Sequence, residues 1–181
     1  MRYAVSLLLG LSLALVSGFS HAQVTKDVSE VTGVTRIESE SMRSLYDKTY
    51  DGDHASFRAE YMNDPDEGAS WALSFYGFTD DTTQVSRVNQ FVVQADGAQL
   101  QPVRLESKTR TVNGSLLEIK RAVFSRSGFK QIATAQDVTI SIGSAQFMAV
   151  HPRRKDMRTI LDRVPEKQGP RTASNDSSDS R

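Results

Sequence analysis

The sequence predicts a mainly β chain: an antiparallel sandwich or strongly curled sheet of about seven or eight strands, with a short helix and a C-terminal helix packed on it. Three observations carry this. Ala55, Phe57, Ala59 and Tyr61 alternate with Ser56, Arg58, Glu60 and Met62, and Trp71, Leu73 and Phe75 repeat the alternation, the period of a strand with one apolar face. Asp96-Gly97, Asn113-Gly114 and Gly143-Ser144 are turn dipeptides of the hairpin kind. Met157, Ile160, Leu161 and Val164 stand at i, i+3, i+4 and i+7, one apolar stripe of a helix that buries it on the sheet.

In chain order, residues 28–40 are rich in Val, Thr and Ile around Gly33 and predict an opening strand with a bulge at the glycine. Residues 42–54 lose period and end in the Tyr50-Asp51-Gly52-Asp53 turn cluster. The two alternating strands follow, joined through residues 63–68, where Pro65 fixes one dihedral and Gly68 accepts a positive φ. Thr79, Asp80, Asp81, Thr82 and Thr83 separate this hairpin from residues 85–124, which predict a three-strand meander. A two-residue turn at Asp96-Gly97 sets Val93 beside Leu100, Arg87 beside Glu106 and Val88 beside Leu105. Pro102, with no N–H for a ladder, marks an edge or a bulge.

At Asn113-Gly114 a two-residue loop would put Lys108 beside Ile119 and Arg110 beside Leu117. A three-residue loop over Val112, Asn113 and Gly114 sets Glu106 against Lys120, Lys108 against Glu118 and Val103 against Val123. Opposite charges across a strand pair contribute roughly 0.2–1 kcal/mol each, so the three-residue form is expected, with those four charges on one solvated face.

Beyond it, Phe129, Ile132 and Ala133 predict a short helix over residues 127–135, which Ser127 can cap. Val138, Ile140 and Ile142 open a final hairpin, and His151-Pro152 opens the last helix, which Pro165 ends.

Domain organisation follows from the ends of the chain. Residues 1–22 carry Arg2, an apolar run over residues 7–16, and Ser20 and Ala22 before Gln23, the pattern of a secretory signal peptide cleaved after Ala22. No other stretch approaches the roughly 18 apolar residues of a transmembrane helix. Residues 23–164 are expected to form a single β-rich domain, and the Ser-, Asn- and Asp-rich residues 165–181 a disordered tail. The chain has no cysteine, so it forms no disulfide, which favours a bacterial periplasmic or secreted protein.

Composition narrows the function classes. Lys plus Arg and Asp plus Glu number 22 each, and this neutral balance together with export argues against a nucleic-acid partner. The charge is nevertheless polarised along the chain. Residues 47–81 hold nine acids against Lys48 and Arg58, and residues 104–130 hold seven bases against Glu106 and Glu118.

His54 and His151 lie far apart and lack a cysteine partner, against a zinc site. Setting Gly52 or Gly68 at the sixth position of an EF-hand leaves Arg58 or Ser74 where the bidentate glutamate belongs. No G-x-S-x-G, P-loop or dinucleotide-binding glycine pattern occurs. No metal or cofactor is therefore assigned, and no catalytic residue.

One cluster stands out. Arg153, Arg154 and Lys155 occupy the start of the last helix, where the macrodipole disfavours bases by roughly 0.3–1 kcal/mol. With His151 they form a candidate anion-binding group for a phosphate or carboxylate; solvation, or pairing with the acidic residues 47–67, is the structural alternative. The reading of function is a non-enzymatic exported binding or interaction module for an envelope protein, glycan or lipid. A small carboxylate-dependent hydrolase and a structural subunit of an envelope assembly are the alternatives.

Overall fold

In the computed structural model the described residues are 24–39, 43–44, 46–47 and 49–164; the side chains of residues 43, 44, 46, 47, 152 and 153, and the expected leader and tail of residues 1–22 and 165–181, lie outside them. The architecture is mainly β, two antiparallel sheets arranged like a sandwich with helices against them. Strands β1 (Val24–Val28) and β2 (Thr35–Ser39) form a hairpin. β3 (Arg43–Ser44) and β4 (Tyr46–Asp47) are two-residue strands, and β5 (His54–Asp64) and β6 (Gly68–Thr79) make the long central hairpin. After α1 (Gln84–Arg87) come β7 (Val92–Ala95), β8 (Ala98–Leu100), β9 (Arg104–Val112) and β10 (Ser115–Phe124). Then follow α2 (Arg126–Thr134), β11 (Val138–Ile142), β12 (Ala145–Met148), a 3-10 turn over His151–Arg154 and α3 (Lys155–Arg163).

The first sheet has the order β1-β2-β5-β6-β10-β9, with β3 also on β5; the second has the order β4-β12-β11-β7-β8. The strands outnumber the expected seven or eight because residues 24–47 supply four short ones.

The central hairpin keeps its predicted turn: the Asp64 carboxylate accepts from the N–H of Asp66 at 2.8 Å and of Glu67 at 3.3 Å, and Gly68 has φ +83°. Both faces of β6 are covered. Trp71, Leu73 and Phe75 are buried on one, and Ala72 and Ser74 on the other. On the inner face Phe75 meets Phe147 of β12 at 5.1 Å between ring centroids, while Trp71 meets Phe129 of α2 at 5.4 Å. One half of this face therefore packs on the second sheet and the other half on the helices. Burying each such side chain contributes roughly 1.5–3 kcal/mol.

On the outer face, acids early in the chain meet bases late in it: Glu60 pairs with Arg121, which also reaches Glu106 at 3.3 Å, and Arg104 reaches Glu67 at 3.2 Å. Charge polarised in sequence is interleaved in space. Among the described residues no helix is long and apolar enough to cross a membrane.

Four expectations are corrected. Residues 28–40 are not one bulged strand. Gly33, at φ +69°, lies in the turn between β1 and β2, closed by Gly33 N–H to Ser29 O at 2.8 Å and Ser29 N–H to Val34 O at 2.9 Å. The meander over residues 85–124 is split: the Asp96-Gly97 hairpin, with Val93 opposite Leu100 as expected, belongs to the second sheet, and β9 and β10 to the first. Pro102 sits in the crossing, so Arg87 does not face Glu106 nor Val88 Leu105; Arg87 ends α1 instead.

The Asn113-Gly114 loop has two residues, with Val112 opposite Ser115, Lys108 opposite Ile119 and Arg110 opposite Leu117. Asn113 and Gly114 both take positive φ, 53° and 92°, the geometry that matches sheet twist. The long stems of Lys108 and Arg110 can lie beside apolar neighbours while their charged heads stay in water. Ser125, not Ser127, caps α2, accepting from Gly128 N–H at 3.1 Å.

Candidate functional site

The apolar stripes of α2 and α3 face the core: Phe129, Ile132 and Ala133 on one helix, Met157 and Ile160 on the other, all buried. That orientation turns a polar stripe of each helix toward its neighbour. Arg126, Lys130 and Thr134, at i, i+4 and i+8 on α2, line a cleft of about 410 Å³ with Arg158, Leu161 and Asp162 of α3.

The helices run antiparallel, and each supplies the other's C-terminal partner. Arg126, at the start of α2, donates from Nη2 to the Val164 carbonyl at 2.8 Å, just past the end of α3. Arg158 donates from Nη1 to Ala133 O at 3.0 Å and to His151 O at 3.2 Å. Cations at carbonyl-terminal ends oppose the partial negative charge there. Arg126 also lies over the Trp71 ring, 5.3 Å from its centroid. The two guanidiniums are thereby held at opposite ends of the cleft, with the exposed Lys130 between them on α2.

The residues singled out in the sequence take other places. Arg154 is wholly buried and donates from Nη2 to the Ala135 carbonyl and, at 3.2 Å, to that of Gln136. Its Nε and Nη1 are buried without a hydrogen-bond partner, and desolvation, followed by the charge of Arg158, pushes its pKa down. His151 Nδ1 lies 3.1 Å from the same Ala135 oxygen. Lys155 is exposed in the first turn of α3, and the Arg153 side chain lies outside the described residues. Arg154 and His151 thus brace the end of α2, and the cleft begins one turn further along α3, at Arg158. The spacing of Arg126, Lys130 and Thr134 was visible in the sequence; that the stripe faces a second helix was not.

A second polar cluster is buried under β10. Glu118 and Lys120, each 1 % exposed, point inward instead of into solvent. Glu118 accepts from the Thr83 N–H at 2.9 Å, from the Thr83 hydroxyl, and from the Tyr50 hydroxyl at 3.4 Å. Burial and then the Glu118 charge raise the Tyr50 pKa well above that of an ordinary phenol. Lys120 donates from Nζ to Val88 O at 2.6 Å and Ser107 Oγ at 2.8 Å; desolvation lowers its pKa and Glu118 opposes the shift. Both charges thereby tie β10 to the segment that crosses between the sheets. A small cavity of about 90 Å³ adjoins them, lined also by Ser86, Ser107 and Thr109.

Among the described residues no three His, Cys, Asp or Glu side chains converge as metal ligands. No family model, curated protein or solved structure matches the chain.

Proposed function

We propose that this chain is a non-enzymatic, exported binding module that holds an anionic group of a small ligand, a carboxylate or phosphate, in the cleft between α2 and α3. The observation that carries the reading is the lining itself: three cations from two helices, one apolar side chain at Leu161 and one acceptor at Asp162 around about 410 Å³. Clefts of this size, with a few convergent polar groups, are the usual form of small-ligand sites. Arg126 and Arg158 are already oriented by their carbonyl partners, so a ligand would meet fixed donors. Asp162 would accept from a ligand hydroxyl or amine.

A carboxylate pair, which a hydrolase of the kind considered above requires, has a poorer basis here, because the cleft carries one carboxylate. The buried Glu60 and Glu118 are engaged by Arg121 and Thr83, on opposite faces of the sheet. Export rests on the leader pattern of residues 1–22. Acidic glycans and lipid headgroups both carry groups of the required chemistry.

Calorimetric titration with glucuronate and with glycerol phosphate, at low ionic strength, tests the proposal and separates the two ligand sources. Lys130→Gln and Arg158→Gln should each weaken binding about tenfold or more, as loss of a charge-assisted hydrogen bond worth roughly 1.5–3 kcal/mol implies, while Lys155→Gln leaves it unchanged. Equal binding by all variants, or no binding of either compound, rejects the cleft.

A further inference from the structure

We infer that β9 is an open strand edge that takes up an extended acidic segment of a partner protein. Among the described residues β9 pairs only with β10. In a two-residue hairpin the residues flanking the loop exchange both hydrogen bonds, and bonded pairs recur at every second position. From Val112 opposite Ser115, the bonded residues of β9 are therefore Arg110, Lys108 and Glu106. The intervening Leu105, Ser107, Thr109 and Thr111 direct their N–H and C=O groups away from β10. This is a template for one further strand along a nine-residue edge.

Three observations say what occupies it. First, the side chains flanking the edge are basic in excess: Arg104, Lys108 and Arg110 against Glu106. Arg104 is paired with Glu67 and Glu106, while among the described residues neither Lys108 nor Arg110, both exposed, has an ion pair. An acidic strand supplies the missing charges, whereas a second copy brings the same excess.

Second, the cavity of about 90 Å³ opens beside the edge on the inner face, between Ser107, Thr109 and Ser86. It admits a small polar side chain of an added strand. Side chains of such a strand alternate between the faces, so acids on the outer face meet Lys108 and Arg110 while small residues face the cavity. Third, exposed apolar residues bracket the edge, Val103 at 72 % and Val112 at 40 %. Strand addition of this kind draws affinity from main-chain bonds and specificity from alternating side chains.

The probe is a fluorescent peptide of alternating Thr and Glu, followed by anisotropy, with alternating Thr and Lys, and Thr and Gln, as comparisons. The unmodified chain should bind the Thr/Glu peptide at least tenfold more tightly than either other. Thr109→Pro removes an N–H that points away from β10, so it spares the β9–β10 ladder and should abolish binding. Lys108→Glu combined with Arg110→Glu alters exposed side chains only and should transfer preference to the Thr/Lys peptide, while Lys130→Gln, whose loss is confined to the α2–α3 cleft, should leave peptide binding unchanged. Equal binding of the three peptides, no binding, or binding that survives Thr109→Pro overturns the inference. So does a concentration-dependent dimer that Thr109→Pro dissolves, which would make a second copy the occupant.

Discussion

The Glu118 carboxylate takes both hydrogen-bond donors of one residue, Thr83: its backbone N–H at 2.9 Å and its hydroxyl. The Thr83 oxygen in turn accepts from Val85 N–H at 3.1 Å, capping α1. A glutamine at position 118 has one accepting oxygen, and its amide nitrogen would point a donor at donors. Glu118→Gln should therefore cost about 1.5–3 kcal/mol, the range for hydrogen bonds to a charged group. Thr83→Val, which keeps the N–H, should cost about 1 kcal/mol. Urea denaturation of both variants and their combination measures this; additive losses would mean that the two side chains do not act together.

Tyr50 gives the same carboxylate a pH signature. Its phenol loses a proton at pH 10.0 in the ordinary case and only above that in the fold, held by burial first and Glu118 second. The unfolded chain therefore releases the proton earlier. Stability from this group is present in full below pH 10.0 and is lost as pH rises beyond it, at up to about 1.4 kcal/mol per pH unit. Tyr61 and Tyr76 are shifted in the same direction, so the measurement is a difference: in denaturant titrations above that pH, Tyr50→Phe should flatten the decline.

Gly77 is the reason that ring can sit there. It lies opposite Glu118 on β10 and Ala55 on β5, and a Cβ at this position would fall on the Tyr50 hydroxyl and 3.0 Å from Phe75 Cε1. Gly77→Ala should displace Tyr50 from the cluster, cost about 1–3 kcal/mol as overpacking does, and return the phenol toward the ordinary value in an absorbance titration. An unchanged titration would place the displacement elsewhere.

These residues also mark the boundary of what can be read from sequence. β5 and β6 were legible because alternation over residues 55–62 and 71–75 has a single period, and Phe129, Ile132 and Ala133 announced α2 in the same way. Glu118 and Lys120 were not, because a charge in an alternating strand is assigned to water unless its buried partners are known. Those partners, Thr83 and Val88, are 35 and 32 residues away. The split between β8 and β9 depends on which sheet each hairpin joins, and Pro102 marks a break without a destination. At the last helix the excess of cations was visible, but their division between bracing α2 and lining a cleft depends on the antiparallel packing of two helices.

Arg154 separates those two roles by experiment. It is wholly buried on the Ala135 and Gln136 carbonyls, so Arg154→Gln should lower stability by about 2–3 kcal/mol through acceptors left unpaired. Arg154→Lys should recover only part, since one ammonium replaces a planar fork. Because Arg154 does not line the cleft, the lysine variant should keep the anion affinity that Arg158→Gln loses. Loss of affinity in Arg154→Lys at unchanged stability would return the binding site to the start of the last helix.

The register of β9 and β10 has its own test in the turn. With two loop residues, Asn113 and Gly114 both occupy the left-handed region, at φ 53° and 92°. A side chain other than Asn costs roughly 1–2 kcal/mol there, because Cβ approaches the carbonyl oxygen. Asn113→Ala and Gly114→Ala should each destabilise by about that amount, while Asn113→Gly should be close to neutral. A three-residue loop needs the left-handed conformation only at Gly114, so it would leave Asn113→Ala harmless. The pair of substitutions at position 113 therefore reports the register by stability alone. That register decides which β9 side chains face outward: with the three-residue loop Lys108 and Glu106 would stand opposite Glu118 and Lys120 on the inner face, and Ser107 could not accept from Lys120. A stability loss in Asn113→Ala, recovered in Asn113→Gly, supports the Lys120–Ser107 contact and the outward Lys108 and Arg110 of the β9 edge together.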